Sequence, residues 1–236
     1  MRDLLADIAF WLGWLALATF ILLQACGGDF DLGPVCEQPE VTDSSARIVN
    51  GTPSIFRRAT VRVTSPRGYC SGTIIGPHTV LTAGHCEELT KIEVGSLRFD
   101  VVENVLNPYY RFPLHDLRLL YTEEELPRPY APLRGHEPCE YLLAQGYGFG
   151  SNGALHERRV DHLLRNGSSI IGTESICNGD SGGPLYAVRA DGSYVLVGVS
   201  SFGLNKPREC LGGAVGFVDL LTDTRTKIEW IEENLR

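Results

Sequence analysis

The octapeptide Cys177-Asn178-Gly179-Asp180-Ser181-Gly182-Gly183-Pro184 constrains this chain more than any other stretch. A serine hydroxyl is a poor nucleophile at its free pKa, so one used for chemistry needs a base beside it and hydrogen-bond donors facing the oxyanion it creates. The glycines open backbone conformations closed to other residues, which lets the N–H groups of Gly179 and Ser181 point into one small hole. Such a cluster is also ordinary turn punctuation between strands. A histidine and a buried acid elsewhere in the chain decide between the two.

Both are present. Leu81-Thr82-Ala83-Gly84-His85-Cys86 supplies a histidine after a β-rich run, and His115-Asp116-Leu117-Arg118-Leu119-Leu120 supplies an aspartate at the head of an apolar segment. With these motifs in the order His85, Asp116, Ser181, the chain resembles the chymotrypsin-like (trypsin-family) serine proteases. Arg47-Ile48-Val49-Asn50-Gly51 matches the family's activation site, so the resemblance runs from Ile48 to the C-terminus. It implies an all-β fold of two antiparallel six-stranded β-barrels with a C-terminal α-helix, and an active site in the cleft between them.

The resemblance also implies roles. Ser181 is the expected nucleophile, His85 its base and then the acid for the leaving amine, and Asp116 the group that holds the imidazole. Gly179 and Ser181 would form the oxyanion hole. Ser201 matches a serine that hydrogen-bonds the aspartate, and Ser201, Phe202 and Gly203 would pair with the substrate backbone as an added strand. A cut after Arg47 would free the α-amino group of Ile48, which would pair with Asp180. Ser175 falls at the floor of the specificity pocket, with Gly203 and Gly213 at its walls. A neutral floor offers a Lys or Arg side chain no partner. Cleavage after Phe, Tyr, Leu or Met is therefore expected, with Glu174 as the rival floor residue. Such an enzyme needs a trypsin-like protease to cut after its Arg47. No metal or cofactor is implied.

The chain departs from the family pattern at several places. Gly84 stands where alanine is usual, Ser71 replaces a glycine after Cys70, Tyr147 replaces a tryptophan, and Arg118 replaces a small residue. The spacings from His85 to Asp116 and from Asp116 to Ser181, 31 and 65 residues, are short for the family and imply trimmed loops.

The 236 residues, 43% hydrophobic and 21% charged, suffice for one all-β domain or two small ones. The net charge of −8 gives nucleic acid no electrostatic footprint. Residues 1–47 carry two basic and seven acidic side chains, so the acidity belongs mostly to the leader. Residues 1–26 read as a signal peptide or membrane anchor, because Ile8 to Ala25 is an apolar run. Its ending, Leu23-Gln24-Ala25-Cys26, resembles a bacterial lipobox with Cys26 as the lipidated residue. An uncleaved transmembrane anchor and a plain secretory signal are the alternatives; all three put the rest outside the cytosol. Residues 27–47 read as linker and propeptide, and 48–236 as the protease domain.

Seven cysteines leave one unpaired, and lipidation of Cys26 accounts for it. The family resemblance pairs Cys70 with Cys86 beside the histidine and Cys177 with Cys210 beside the specificity pocket. Cys36 with Cys139 fits the chymotrypsinogen-like habit of tethering the propeptide.

Short β-prone runs separated by turn residues predict strands at 60–64, 72–75, 79–82, 97–105, 141–147, 194–200 and 214–218. Ile228, Trp230 and Ile231 predict a helix within 224–235. Together these point to an exported endopeptidase acting on proteins or peptides. A catalytically silent homologue serving as a binding module is the alternative. A serine esterase of another fold fits less well, because its histidine follows the serine.

Overall fold

The computed structural model describes residues 52–54, 58–133, 139–148, 153–160, 164–166, 169–172, 177–203, 215–221 and 226–236. Strands dominate. The first eight are β1 (Thr52–Pro53), β2 (Thr60–Ser65), β3 (Gly68–Gly76), β4 (Thr79–Thr82), β5 (Lys91–Val94), β6 (Leu97–Asp100), β7 (Glu103–Leu106) and β8 (Arg118–Tyr121). The next seven are β9 (Tyr141–Gly146), β10 (His156–Val160), β11 (Leu164–Asn166), β12 (Ser169–Gly172), β13 (Pro184–Val188), β14 (Tyr194–Gly203) and β15 (Val215–Asp219). One short helix, α1 (Ile228–Glu233), follows them.

The strands form two antiparallel sheets, ordered β6-β5-β2-β3-β4-β8-β7 and β1-β10-β9-β13-β14-β15-β12-β11. This is the all-β, double-barrel layout that the resemblance implies. Alternation explains the local choices: in β2, Val61 and Val63 are buried while Arg62 stays half-exposed, as a period of two requires. Ile228, Trp230 and Ile231 of α1 are buried and join the core of the first sheet. That core also takes in Tyr186, Val188, Leu196, Val199 and Val218 from the second sheet. Apolar packing therefore crosses the seam between the sheets.

Among the described residues the two sheets hold seven and eight strands, not six and six, and two of the three extra strands have local reasons. The apolar run at 97–105 is two strands. The Val101 N–H donates back to Thr90 O, on the β5 side, at 3.0 Å, while the Val102 N–H donates to Tyr121 O of β8 at 2.9 Å. The chain therefore changes partners at that point. In the second sheet the two-residue β1 adds an edge.

Cys70 of β3 is bridged to Cys86 across a separation of 16 residues, which suits an extracytoplasmic, oxidising compartment. Cys139 and Cys177 are also in disulfides, with partners outside the described residues. Cys26, Cys36, Cys210, Arg47, Ile48, Ser175 and Gly213 lie outside them as well. Among the described residues no helix is long and apolar enough to cross a membrane.

Candidate active site

The register of two neighbouring strands brings His85 and Asp116 together. Antiparallel β4 and β8 pair Thr82 with Arg118, so the residues just after Thr82 and just before Arg118 lie at the same end of the sheet. His85 is three residues beyond Thr82 and Asp116 two before Arg118. The Asp116 carboxylate is fully buried, a placement that survives only if donors surround it. Oδ1 accepts the His85 backbone N–H at 2.8 Å. Oδ2 lies 2.6 Å from His85 Nδ1 and accepts the Ser201 hydroxyl at 2.5 Å.

Ser201 reaches Asp116 because β14 is irregular there. Ser200 pairs with Phe217 and Phe202 with the next residue back, Gly216, so Ser201 is an extra residue in the ladder. Such a bulge re-aims a side chain, and here it faces the buried carboxylate of the other sheet. Past the bulge, half-buried Phe202 lies over Gly216, where a Cβ would fall 2.1 Å from its ring. Gly203 is exposed at the strand end.

The turn carrying Ser181 is pinned from both sheets. Ser181 O accepts the Ser71 N–H of β3 at 2.8 Å, the Gly182 N–H donates to Ser200 O at 2.7 Å, and the Ser200 N–H donates to Gly183 O at 2.8 Å. Gly182 adopts φ +79°, and a Cβ there would lie 2.1 Å from Thr82 Oγ1, 2.4 Å from Ser71 O and 2.8 Å from Ala83 N. Two strands of the first sheet thus press on the backbone beside Ser181. Among the described residues, no hydrogen bond joins the Ser181 hydroxyl to the His85 ring, and the N–H groups of Gly179 and Ser181 donate to no protein acceptor.

Asp180 is the second buried acid. Its Oδ1 accepts the Gly148 N–H at 2.7 Å and its Oδ2 the Cys177 N–H at 2.9 Å. No cation faces it among the described residues, and burial pushes its pKa up to about 6 against the pull of those two donors. A Cβ on Gly148 would lie 2.2 Å from Asp180 Oδ2, so the carboxylate occupies space that only glycine leaves.

Several neighbours of the site escape sequence patterns. Tyr110 edges Gly84 so closely that a Cβ there would sit 2.8 Å from its ring. Burial, and then the Asp116 charge, raise the Tyr110 pKa. Half-buried Arg118 donates to Gly84 O through Nη2 at 3.0 Å and to Asn104 Oδ1 through Nη1 at 2.5 Å. Exposed Phe112 meets the His85 ring edge-on at 5.5 Å. Of these, Gly84 and Arg118 carried a signal, as departures from the family pattern.

An imidazole fixed at Nδ1 by a buried carboxylate can take a proton at its other nitrogen, and two free N–H groups beside a serine can receive a developing oxyanion. Two antiparallel sheets with this constellation in their seam have the layout of a chymotrypsin-like serine hydrolase. The family model described as Trypsin matches residues 48–221. Serine proteinase stubble of Drosophila melanogaster is 27% identical over 263 aligned residues, covering 85% of this chain and 32% of that protein. Trypsin iota of the same fly is 28% identical, covering 68% of this chain and 80% of that protein. A venom serine protease of Polistes dominula is 25% identical, covering 74% and 81%. This chain therefore belongs to the trypsin family of chymotrypsin-like serine endopeptidases. It spans about a third of the length of the stubble proteinase.

The packing around Gly182 generates a test. Gly182→Ala combines a left-handed backbone with contact against two backbone atoms, so about 3 kcal/mol of stability should be lost. Gly192, at φ +81° with nothing within 4 Å, should cost only about 1–2 kcal/mol on the same substitution. Urea unfolding of the two variants measures the difference; equal losses would contradict the close approach at Gly182.

Proposed function

We propose that this chain is an exported serine endopeptidase, made as an inactive precursor and activated by cleavage after Arg47. The observation that carries the catalytic part is the fully buried Asp116 carboxylate, shared between His85 of one sheet and Ser201 of the other. In this mechanism Ser181 Oγ attacks the carbonyl carbon of a protein or peptide substrate as His85 Nε2 takes its proton. The carbonyl oxygen becomes an oxyanion received by the N–H groups of Gly179 and Ser181. His85 then protonates the leaving amine, the peptide C–N bond breaks, and an acyl-serine remains. Water attacks that ester with His85 again as base, which restores Ser181 and releases the acid. Asp116 stays ionised throughout and stabilises the imidazolium.

Asp180 supports the precursor reading. Its two backbone donors leave a buried carboxylate without a cation among the described residues, and the α-amino group freed on Ile48 would supply one. Pairing would order the adjacent Gly179–Ser181 backbone. With Ser175 at the pocket floor and Gly203 and Gly213 at its walls, the enzyme would cleave after Phe, Tyr, Leu or Met, and a trypsin-like protease would have to cut it after Arg47. Residues 1–26 would export the chain and tether it to a membrane, through a lipidated Cys26 if the lipobox is used. Residues 27–47 would be linker and propeptide, held through Cys36 and Cys139, with Cys177 bridged to Cys210.

Three measurements test this reading. The purified precursor, cut with trypsin and assayed on a fluorogenic peptide panel, should hydrolyse substrates ending in large apolar residues. Ser181→Ala and Arg47→Gln should remove that activity; turnover by Ser181→Ala, or preference for Arg, would contradict the assignment. The second concerns pH. A carboxyl at about 6 when folded and near 3.8 when unfolded holds more protons in the folded state between those values, so folding stability falls as pH rises through that window. The loss should total about 3 kcal/mol in the uncut precursor and should disappear in Asp180→Asn. An unchanged pH slope in that variant would show that Asp180 is already paired. Third, mass spectrometry of the mature N-terminus should find a lipidated Cys26; Cys26 still joined to Ala25 would overturn lipidation.

A further inference from the structure

Ser71 stands where the family pattern has glycine, and its hydroxyl is placed between two loops of the site. Fully buried in β3, it donates its hydroxyl proton to Gly179 O at 2.8 Å and accepts the Tyr147 N–H at 3.0 Å. Its backbone N–H donates to Ser181 O at 2.8 Å. Its carbonyl accepts the Thr82 hydroxyl at 2.8 Å, three residues before His85. One residue therefore touches the expected oxyanion-hole glycine, the nucleophile, the strand leading to the histidine, and the loop whose Gly148 holds Asp180.

We infer that Ser71 is a positioning residue that sets the oxyanion-hole backbone by fixing the Gly179 carbonyl, and that it couples this backbone to the 146–148 loop around Asp180. This inference rests on the serine endopeptidase assignment. Gly179 sits at φ +100° in a glycine-rich turn, where the backbone has more freedom than at other residues. A hydroxyl that donates to its carbonyl and accepts from Tyr147 restricts that freedom from both sides. The link is directional, since one hydroxyl proton goes to Gly179 and the lone pairs serve Tyr147. It spans the two sheets: β3 belongs to the first, while Tyr147 directly follows β9 of the second.

A structural role alone and a positioning role predict opposite orders for two substitutions. Ser71→Ala keeps the Cβ and strands a buried carbonyl and a buried N–H. Ser71→Gly empties enough polar space for one water to bridge the same two groups, as buried waters do. If the hydroxyl positions Gly179, Ser71→Ala should lower kcat about ten-fold with KM within two-fold, less than the 10²–10³ lost with a direct oxyanion donor. Ser71→Gly should retain more activity than Ser71→Ala. Affinity for a peptidyl boronate, which places an oxygen in the oxyanion hole, should fall in step with kcat. If packing alone matters, Ser71→Gly leaves the larger void and should be the worse of the two, with boronate affinity and KM moving together. The assay uses trypsin-activated full chain, with thermal melting to confirm that each variant is folded. An active parent with Ser71→Ala unchanged, or with Ser71→Gly the more impaired, would overturn the positioning role and leave the endopeptidase assignment standing. An inactive parent would overturn the assignment on which the inference rests.

Discussion

A carboxylate with no exposure to solvent must find its donors inside the protein, and at Asp116 they come from both sheets. The first sheet supplies the His85 backbone and ring through the β4–β8 register. The second supplies the Ser201 hydroxyl through a bulge in β14. Separating the sheets would leave a buried charge short of a partner, a cost on the order of several kcal/mol. The same shared charge therefore holds the seam closed and orients the imidazole. Among the described residues Asp116 has donors from both sheets, whereas Asp180 has two backbone donors and no cation beside it.

Close packing near these acids joins the departures from the family pattern into two groups. Glycine at position 84 makes room for the Tyr110 ring, and Arg118, which a small residue would not replace, caps the Gly84 carbonyl. The arginine is half-buried, and burial pulls its pKa down while Glu87, Tyr110 and Asp116 oppose that shift. Ser71 belongs to a second group, filling with a hydroxyl a place where the family pattern has no side chain. Each group leaves the His85–Asp116–Ser201 bonding in place.

The segments holding His85, Asp116 and Ser181 were legible as candidates because each lies in a motif whose residue types the proposed chemistry demands, and the strands at 60–64, 79–82 and 141–147 because each is a short β-prone run bounded by turn residues. Strand β5 was not. Ile92 and Val94 alternate correctly, but four residues with Lys91 and Glu93 between them give too short a signal. Strand β10 carries Glu157, Arg158 and Arg159 in succession, and its pairing with β9 and β1 makes it a strand. Strand β13 was not among the predicted strands either; it begins at Pro184, a first position that needs no ladder donor. The roles of Ser71 and Arg118 depend on which atoms lie across the seam, and no local pattern encodes that.

On the proposed mechanism this site becomes reactive only when Asp180 gains its cation. The rate at which an organophosphate labels Ser181, measured by peptide mass spectrometry before and after cleavage between Arg47 and Ile48, tests it most directly. Since an unformed oxyanion hole costs on the order of a hundred-fold or more, labelling should accelerate by at least about that factor on cleavage and be confined to Ser181. Equal labelling of the cut and uncut chains, or none at Ser181 after cleavage, would contradict the account.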